Sequence, residues 1–119
     1  MRARRDIDTA RTLIENEELD WALAVSYNSL LTAGRALMFS RGYRPSSTEG
    51  HVAVVKFLNA SLESEDKERM IMVLNGMRKK RHRIVYEEMD IVTEKEALQA
   101  LKWAEEFLER IDELVNRTK

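Results

Sequence analysis

The sequence predicts an all-α protein, an up-and-down bundle of four to five helices. Three observations carry that prediction. One Pro and four Gly in 119 residues, beside abundant Leu, Ala, Glu, Lys and Arg, favour helix. Apolar residues recur at spacings of three and four along most of the chain. Clear loop chemistry occurs at one place only, Tyr43-Arg44-Pro45-Ser46-Ser47. A chain of this length supports one hydrophobic core and not two, so residues 1–119 read as a single domain.

The first helix is expected over residues 3 to about 16, with Ile7, Ala10, Leu13 and Ile14 on one stripe; the acidic stretch Glu15-Asn16-Glu17-Glu18 ends it. The second runs from about residue 19 to 41. Leu23, Tyr27, Leu30, Leu31, Gly34, Leu37 and Met38 form its main face, and Ala22, Val25, Ala33 and Ala36 widen it. So broad a face predicts the most buried helix, and its small residues at 33, 34 and 36 predict a close approach by a neighbour. Gly42 is placed to end it as a cap. Ser46, Ser47 or Thr48 offers an N-cap for a third helix reaching about residue 61, with Val52, Val54, Val55, Phe57 and Leu58 as its apolar set. The β-branched residues there also suit a strand over 52–58, but a lone strand would lack a partner. Ser64 caps a fourth helix, about 65–88, carrying Met70, Ile71, Val73, Leu74 and Met77. Thr93-x-x-Glu96 is a capping box for a fifth helix over 94–117. Its stripe is the most regular: Ala97, Leu101, Ala104, Leu108, Ile111 and Val115, broadened by Leu98, Phe107 and Leu114.

Composition narrows the function classes. Zero cysteines remove disulfides, thiolate metal sites and Cys nucleophiles, and fit a reducing cytoplasm. No apolar run approaches the ~20 residues that span a bilayer, and the N-terminus lacks the apolar segment of a signal peptide. A net charge of −1 exerts no whole-molecule pull on polyanions, so any such site must be local. The two histidines, His51 and His82, fall on different helices, and the four glycines are scattered; metal-dependent and P-loop chemistry are set aside, with no metal or cofactor expected.

What remains is the run Arg78-Lys79-Lys80-Arg81-His82-Arg83. Stepping four from Leu74 reaches Arg78, and four from Met77 reaches Arg81, so at least one guanidinium lies at the margin of a buried face. A desolvated Arg needs an anionic or hydrogen-bonding partner. Arg78, His82 and Tyr86 are successive steps of four along one row. Arg can clamp phosphate oxygens, His can move a proton near neutral pH, and Tyr can orient a group or stack on a base. The alternative is a solvated charged face with arginines tied to acidic neighbours such as Glu87 or Glu88. His51 reads as structural, bonded to a neighbour; Trp21 and Trp103 read as core anchors or interface residues, and the methionines at 70, 72 and 77 as core filler.

Several stretches, in order, resemble the HEPN domain family. Ala24-Val25-Ser26-Tyr27-Asn28-Ser29-Leu30-Leu31-Thr32-Ala33-Gly34-Arg35-Ala36-Leu37 is similar to its second helix, and Glu49-Gly50-His51-Val52-Ala53-Val54-Val55-Lys56-Phe57-Leu58 to its short third helix. Arg78-x-x-Arg81-His82-Arg83-Ile84-Val85-Tyr86-Glu87 resembles the Arg-x-x-Arg…Asp-Tyr stretch of the small stand-alone archaeal and bacterial branch, which includes HepT-like toxins. The resemblance implies a helical bundle that dimerises with fourth-helix clefts facing each other. It also implies an encoded partner, a minimal nucleotidyltransferase of a toxin–antitoxin pair. Many members are metal-independent ribonucleases with an Arg-x(4–6)-His motif; others bind nucleotide, RNA or a protein. Here the interval from Arg78 to His82 holds three residues. Two expectations follow from the resemblance: a basic cleft with Arg78, Arg81, Tyr86 and Tyr27 as ligand residues, or an endoribonuclease with Arg78 as clamp and His82 as acid–base. A helical interaction protein whose arginines form interfacial ion pairs is the third.

Overall fold

The computed structural model describes residues 2–44, 50–61, 64–86 and 90–117. Five helices follow one another: α1 (Arg2–Glu15), α2 (Leu19–Ser40), α3 (Gly50–Ser61), α4 (Ser64–Tyr86) and α5 (Glu94–Arg117). Their bounds fall close to those expected, and residues 52–58 are helix, which sets aside the strand alternative. The caps expected at Ser46, Ser47 or Thr48 and at Ser64, and the side chain of Tyr86, lie outside the described residues.

α2 is the hub. It packs against all four other helices, most extensively against α1 and α5, while α3 and α4 cover its other side. That follows from its broad apolar face: Ala22, Leu23, Tyr27, Leu30, Ala33, Leu37 and Met38 are all buried. Leu58 from α3, Leu74 from α4 and Ile111 from α5 are fully buried beside them. The close approach expected at the small residues is made by α3. A Cβ added to Gly34 would stand 2.7 Å from Val54 Cγ1. The α5 stripe is buried from Ala97 to Ile111, with Val115 half-buried. Leu98 departs from expectation at 48% exposed, because it lies about a quarter turn round from Ala97, past the edge of the buried face. Met72 is likewise exposed, whereas Met70 and Met77 are core. Trp21 is exposed, and Trp103 lines a trough between α4 and α5, which touch each other sparingly.

The ends of the helices are made by identifiable chemistry. α2 closes in a Schellman arrangement: Gly42, at φ 81°, donates its N–H to Phe39 O at 3.0 Å, and Tyr43 N–H donates to Met38 O at 3.0 Å. α1 closes the same way, with Glu17 N–H to Ile14 O (3.0 Å) and Glu18 N–H to Leu13 O (2.8 Å). The residue in the left-handed region there is Glu17, at φ 60°, where a side chain is strained and glycine is not. Glu17→Gly is therefore expected to raise stability by about 0.5–1 kcal/mol, read as a higher midpoint in urea; a lower midpoint refutes it. The capping box at α5 is formed as expected: Thr93 N–H donates to Glu96 Oε1 at 3.0 Å, and Glu96 N–H to Thr93 Oγ1 at 3.1 Å. These bonds, then the ion pair with Lys80 (2.9 Å), hold the Glu96 carboxyl below its ordinary value. The sign follows: this contribution to stability is present above the unfolded carboxyl range and is lost as pH falls through the depressed value. The connector between α4 and α5 is tied to the first turn of α2, where the Asp20 carboxylate accepts from Asp90 N–H (2.7 Å) and Val92 N–H (3.0 Å).

Candidate functional site

Three helices bring their polar groups together on the α3–α4 side of α2. α2 contributes Tyr27 and Arg35, α3 contributes Gly50 and His51, and α4 contributes Asn75, Arg78 and Arg81. Tyr27 belongs to the apolar face of α2 and is only 4% exposed, yet its hydroxyl emerges at the edge of the core. There it lies 2.7 Å from His51 Nδ1. The other ring nitrogen, Nε2, is 2.9 Å from Asn75 Oδ1. An amide oxygen only accepts, so Nε2 carries the hydrogen; Nδ1 then holds the lone pair and accepts the Tyr27 O–H. One imidazole thus joins three helices through a directional chain, Tyr27 O–H to Nδ1 and Nε2–H to Asn75.

Cations surround this chain. The Arg81 guanidinium carbon is 5.8 Å from the centre of the Tyr27 ring, within reach of a cation–π contact. Arg78 acts electrostatically on both Tyr27 and His51, and Arg35 on Tyr27. Arg35 is seated over Gly50: a Cβ at position 50 would collide with the guanidinium, so glycine is what lets it lie there. Burial pushes the Tyr27 phenol up, against the opposing pull of Arg81, Arg78 and Arg35. Burial also lowers the His51 value; the bond to Asn75 opposes that, and Arg78 reinforces it. In the free protein His51 is therefore held towards its neutral form.

The Nε of Arg81 is buried and has no hydrogen-bond partner among the described residues. Nor does a carboxylate pair with Arg35, Arg78 or Arg81 among them. Lys80 of the basic run pairs with an acidic group across the fold, Glu96. The site gathers donors and positive charge around Tyr27 and His51, and the complement of such a set is an anion with several acceptor oxygens. No group of His, Asp or Glu able to hold a metal ion occurs among the described residues.

The family model of the HEPN domain matches residues 1–114. The chain belongs to the HEPN domain family. Neither the curated proteins nor the solved structures searched contain a match to it. Among the described residues of this HEPN domain, no helix is long and apolar enough to cross a membrane.

The residues expected from the sequence divide at this point. Tyr27, Arg78 and Arg81 lie about one site; Arg81, on the Met77 row, is half-buried at the margin of the core, whereas Arg78, on the Leu74 row, is exposed. His82 stands one turn beyond Arg78 on α4 and is exposed. Tyr86 ends α4, with its side chain outside the described residues. Three members of the site carry no role in the sequence-based expectation: Arg35, Asn75, and His51 as anything beyond a bonded structural group. Two local features bear on them without assigning a role. Asn75 precedes Arg78 by three, hence shares its helical face, and Gly50 before His51 is a gap where a neighbouring side chain can settle.

Proposed function

We propose that this HEPN domain is a phosphate-binding module whose cleft between α2, α3 and α4 takes nucleotide or RNA. Arg78 and Arg81 are the phosphate ligands, with Arg35 beside them and Tyr27 forming the floor. The observation that carries this reading is the Arg81 Nε, a buried charged donor without an acceptor among the described residues. Leaving such a group unmatched costs about 1–3 kcal/mol, a cost that a bound phosphate oxygen removes. Family membership extends the reading to a homodimer whose basic clefts face each other. It also extends it to a minimal nucleotidyltransferase as protein partner, in a toxin–antitoxin-type pair. The lack of cysteine supports a cytoplasmic setting.

The test is fluorescence anisotropy with a labelled single-stranded RNA oligomer over a range of salt. Arg78→Glu with Arg81→Glu is expected to weaken binding at least tenfold and to flatten the slope of log affinity against log salt by roughly 1.4, about 0.7 for each lost phosphate contact. Unchanged affinity and slope would refute the reading.

A second reading is favoured by one observation: Arg78 and His82 lie one turn apart on α4 and are both exposed, so both can reach a single phosphodiester. In that case the domain is a metal-independent endoribonuclease, with His82 as acid–base and Arg78 offsetting charge in the transition state. Cleavage of RNA in EDTA, lost in His82→Ala, distinguishes it; binding without cleavage leaves the first reading.

A further inference from the structure

We propose that the Tyr27–His51–Asn75 chain couples phosphate binding to proton uptake: His51 gains a proton when a phosphodiester enters the cleft, and the Tyr27 hydroxyl hydrogen turns from the imidazole towards the phosphate. This rests on the cleft being the phosphate site proposed above.

The geometry leaves one variable position in the chain. Asn75 Oδ1 accepts in every state, so Nε2–H stays on that bond at 2.9 Å whether His51 is neutral or charged. Nδ1, 2.7 Å from the Tyr27 oxygen, can be used in two ways. In neutral His51 it accepts the Tyr27 O–H. In the imidazolium it donates N–H to the Tyr27 oxygen, and the hydroxyl hydrogen must find another acceptor. The same two contacts thus survive protonation with one direction reversed. No heavy atom has to move.

The surroundings decide when the reversal occurs. Among the described residues, the charged groups acting on the pair are Arg35 from α2 and Arg78 and Arg81 from α4, all cations. With burial, they disfavour a further positive charge on His51 in the free protein. A phosphate held between the guanidiniums changes the sign of the local field and favours the imidazolium. One proton then passes from solvent to Nδ1 on binding and returns on release, with no covalent change. The complex gains a cation and an O–H donor that the free cleft does not offer. Affinity therefore rises as pH falls through the interval between the lowered His51 value of the free protein and the raised value of the complex. One proton limits the slope to at most about tenfold per pH unit.

The probe is an oligouridylate with hydroxyl ends, whose diesters do not titrate in the range used. Isothermal titration calorimetry in buffers of different ionisation enthalpy counts the protons taken up, from about pH 8 down to about pH 6. Wild type is expected to take up close to one proton per site and to bind several-fold more tightly at the lower pH. His51→Gln loses both effects. Tyr27→Phe is expected to lose several-fold more affinity near pH 6 than near pH 8, a split that a purely structural role for the hydroxyl does not produce. Proton NMR of wild type gives a check free of variants: of the two imidazoles, that of His51 should titrate at higher pH with the oligomer than without. Binding without proton uptake, uptake retained in His51→Gln, or a Tyr27→Phe loss equal at both ends overturns the relay alone. Absence of oligouridylate binding at every pH sinks the phosphate reading and the relay with it.

Discussion

Arg81→Met should make the domain more stable and a poorer ligand binder at once. Methionine keeps the length and the apolar stem that pack at the core margin, and removes the guanidinium whose Nε is buried without a partner among the described residues. Eliminating that unmatched donor is expected to stabilise the free protein by about 1 kcal/mol. For a chain of this size that is roughly 4 °C in Tm. That stabilisation is net: the unmatched donor costs about 1–3 kcal/mol, and the cation–π contact with Tyr27 that is lost with it is worth about 0.5–1 kcal/mol. Affinity for RNA should fall at least tenfold, because a charge-assisted bond to phosphate is lost. Opposite signs in the two measurements are what a binding site predicts. An arginine kept for the fold alone would give a drop in Tm. Thermal denaturation and anisotropy on the same preparation decide between them.

Asp20→Ala is expected to be the most damaging single truncation outside the apolar core, at about 2–3 kcal/mol in urea denaturation. Its two carboxylate oxygens hold the backbone of the α4–α5 connector at Asp90 and Val92, across seventy residues of sequence. Asp90 is in the left-handed region at φ 56°, a conformation that the tether helps to maintain. Its place in the first turn of α2 also suits a negative charge. Asp20→Asn retains an acceptor for one of the two N–H groups and should lose about half as much. Equal midpoints for wild type and the alanine variant would show that the connector holds itself.

The helices were legible because apolar periodicity is a local property, and five amphipathic or broadly apolar segments leave few ways to bury their faces. The hub role of α2 was equally plain from the breadth of its face, and the contact at Gly34 from the run of small residues. Family resemblance pointed to the fourth helix, where the Arg81 guanidinium lies over the Tyr27 ring and Arg78 acts on Tyr27 electrostatically. The remaining members were hidden for a physical reason. His51 acquires its environment from Tyr27 and Asn75, each 24 residues away on another helix, and no spacing rule within one helix reports that. His82 drew notice because it sits inside a conspicuous run, but position in a run does not say which way a side chain faces. Leu98 and Met72 illustrate the same point for the apolar set: one step round a helix turns a core side chain into an exposed one.

The contact between α2 and α3 has a consequence for sequence drift. Positions 34 and 54 share one volume, since Val54 occupies the space that any side chain at 34 would need. Valine has no flexible end to swing away, and the helix axes are already close, so the two sites are not free to vary separately. Lineages that acquire alanine at 34 should carry a smaller residue at 54 or a wider crossing of the two helices. A wider crossing shifts His51, three residues before Val54, away from Tyr27. Packing at this one crossing therefore restricts how far the chemistry of the cleft can wander over generations.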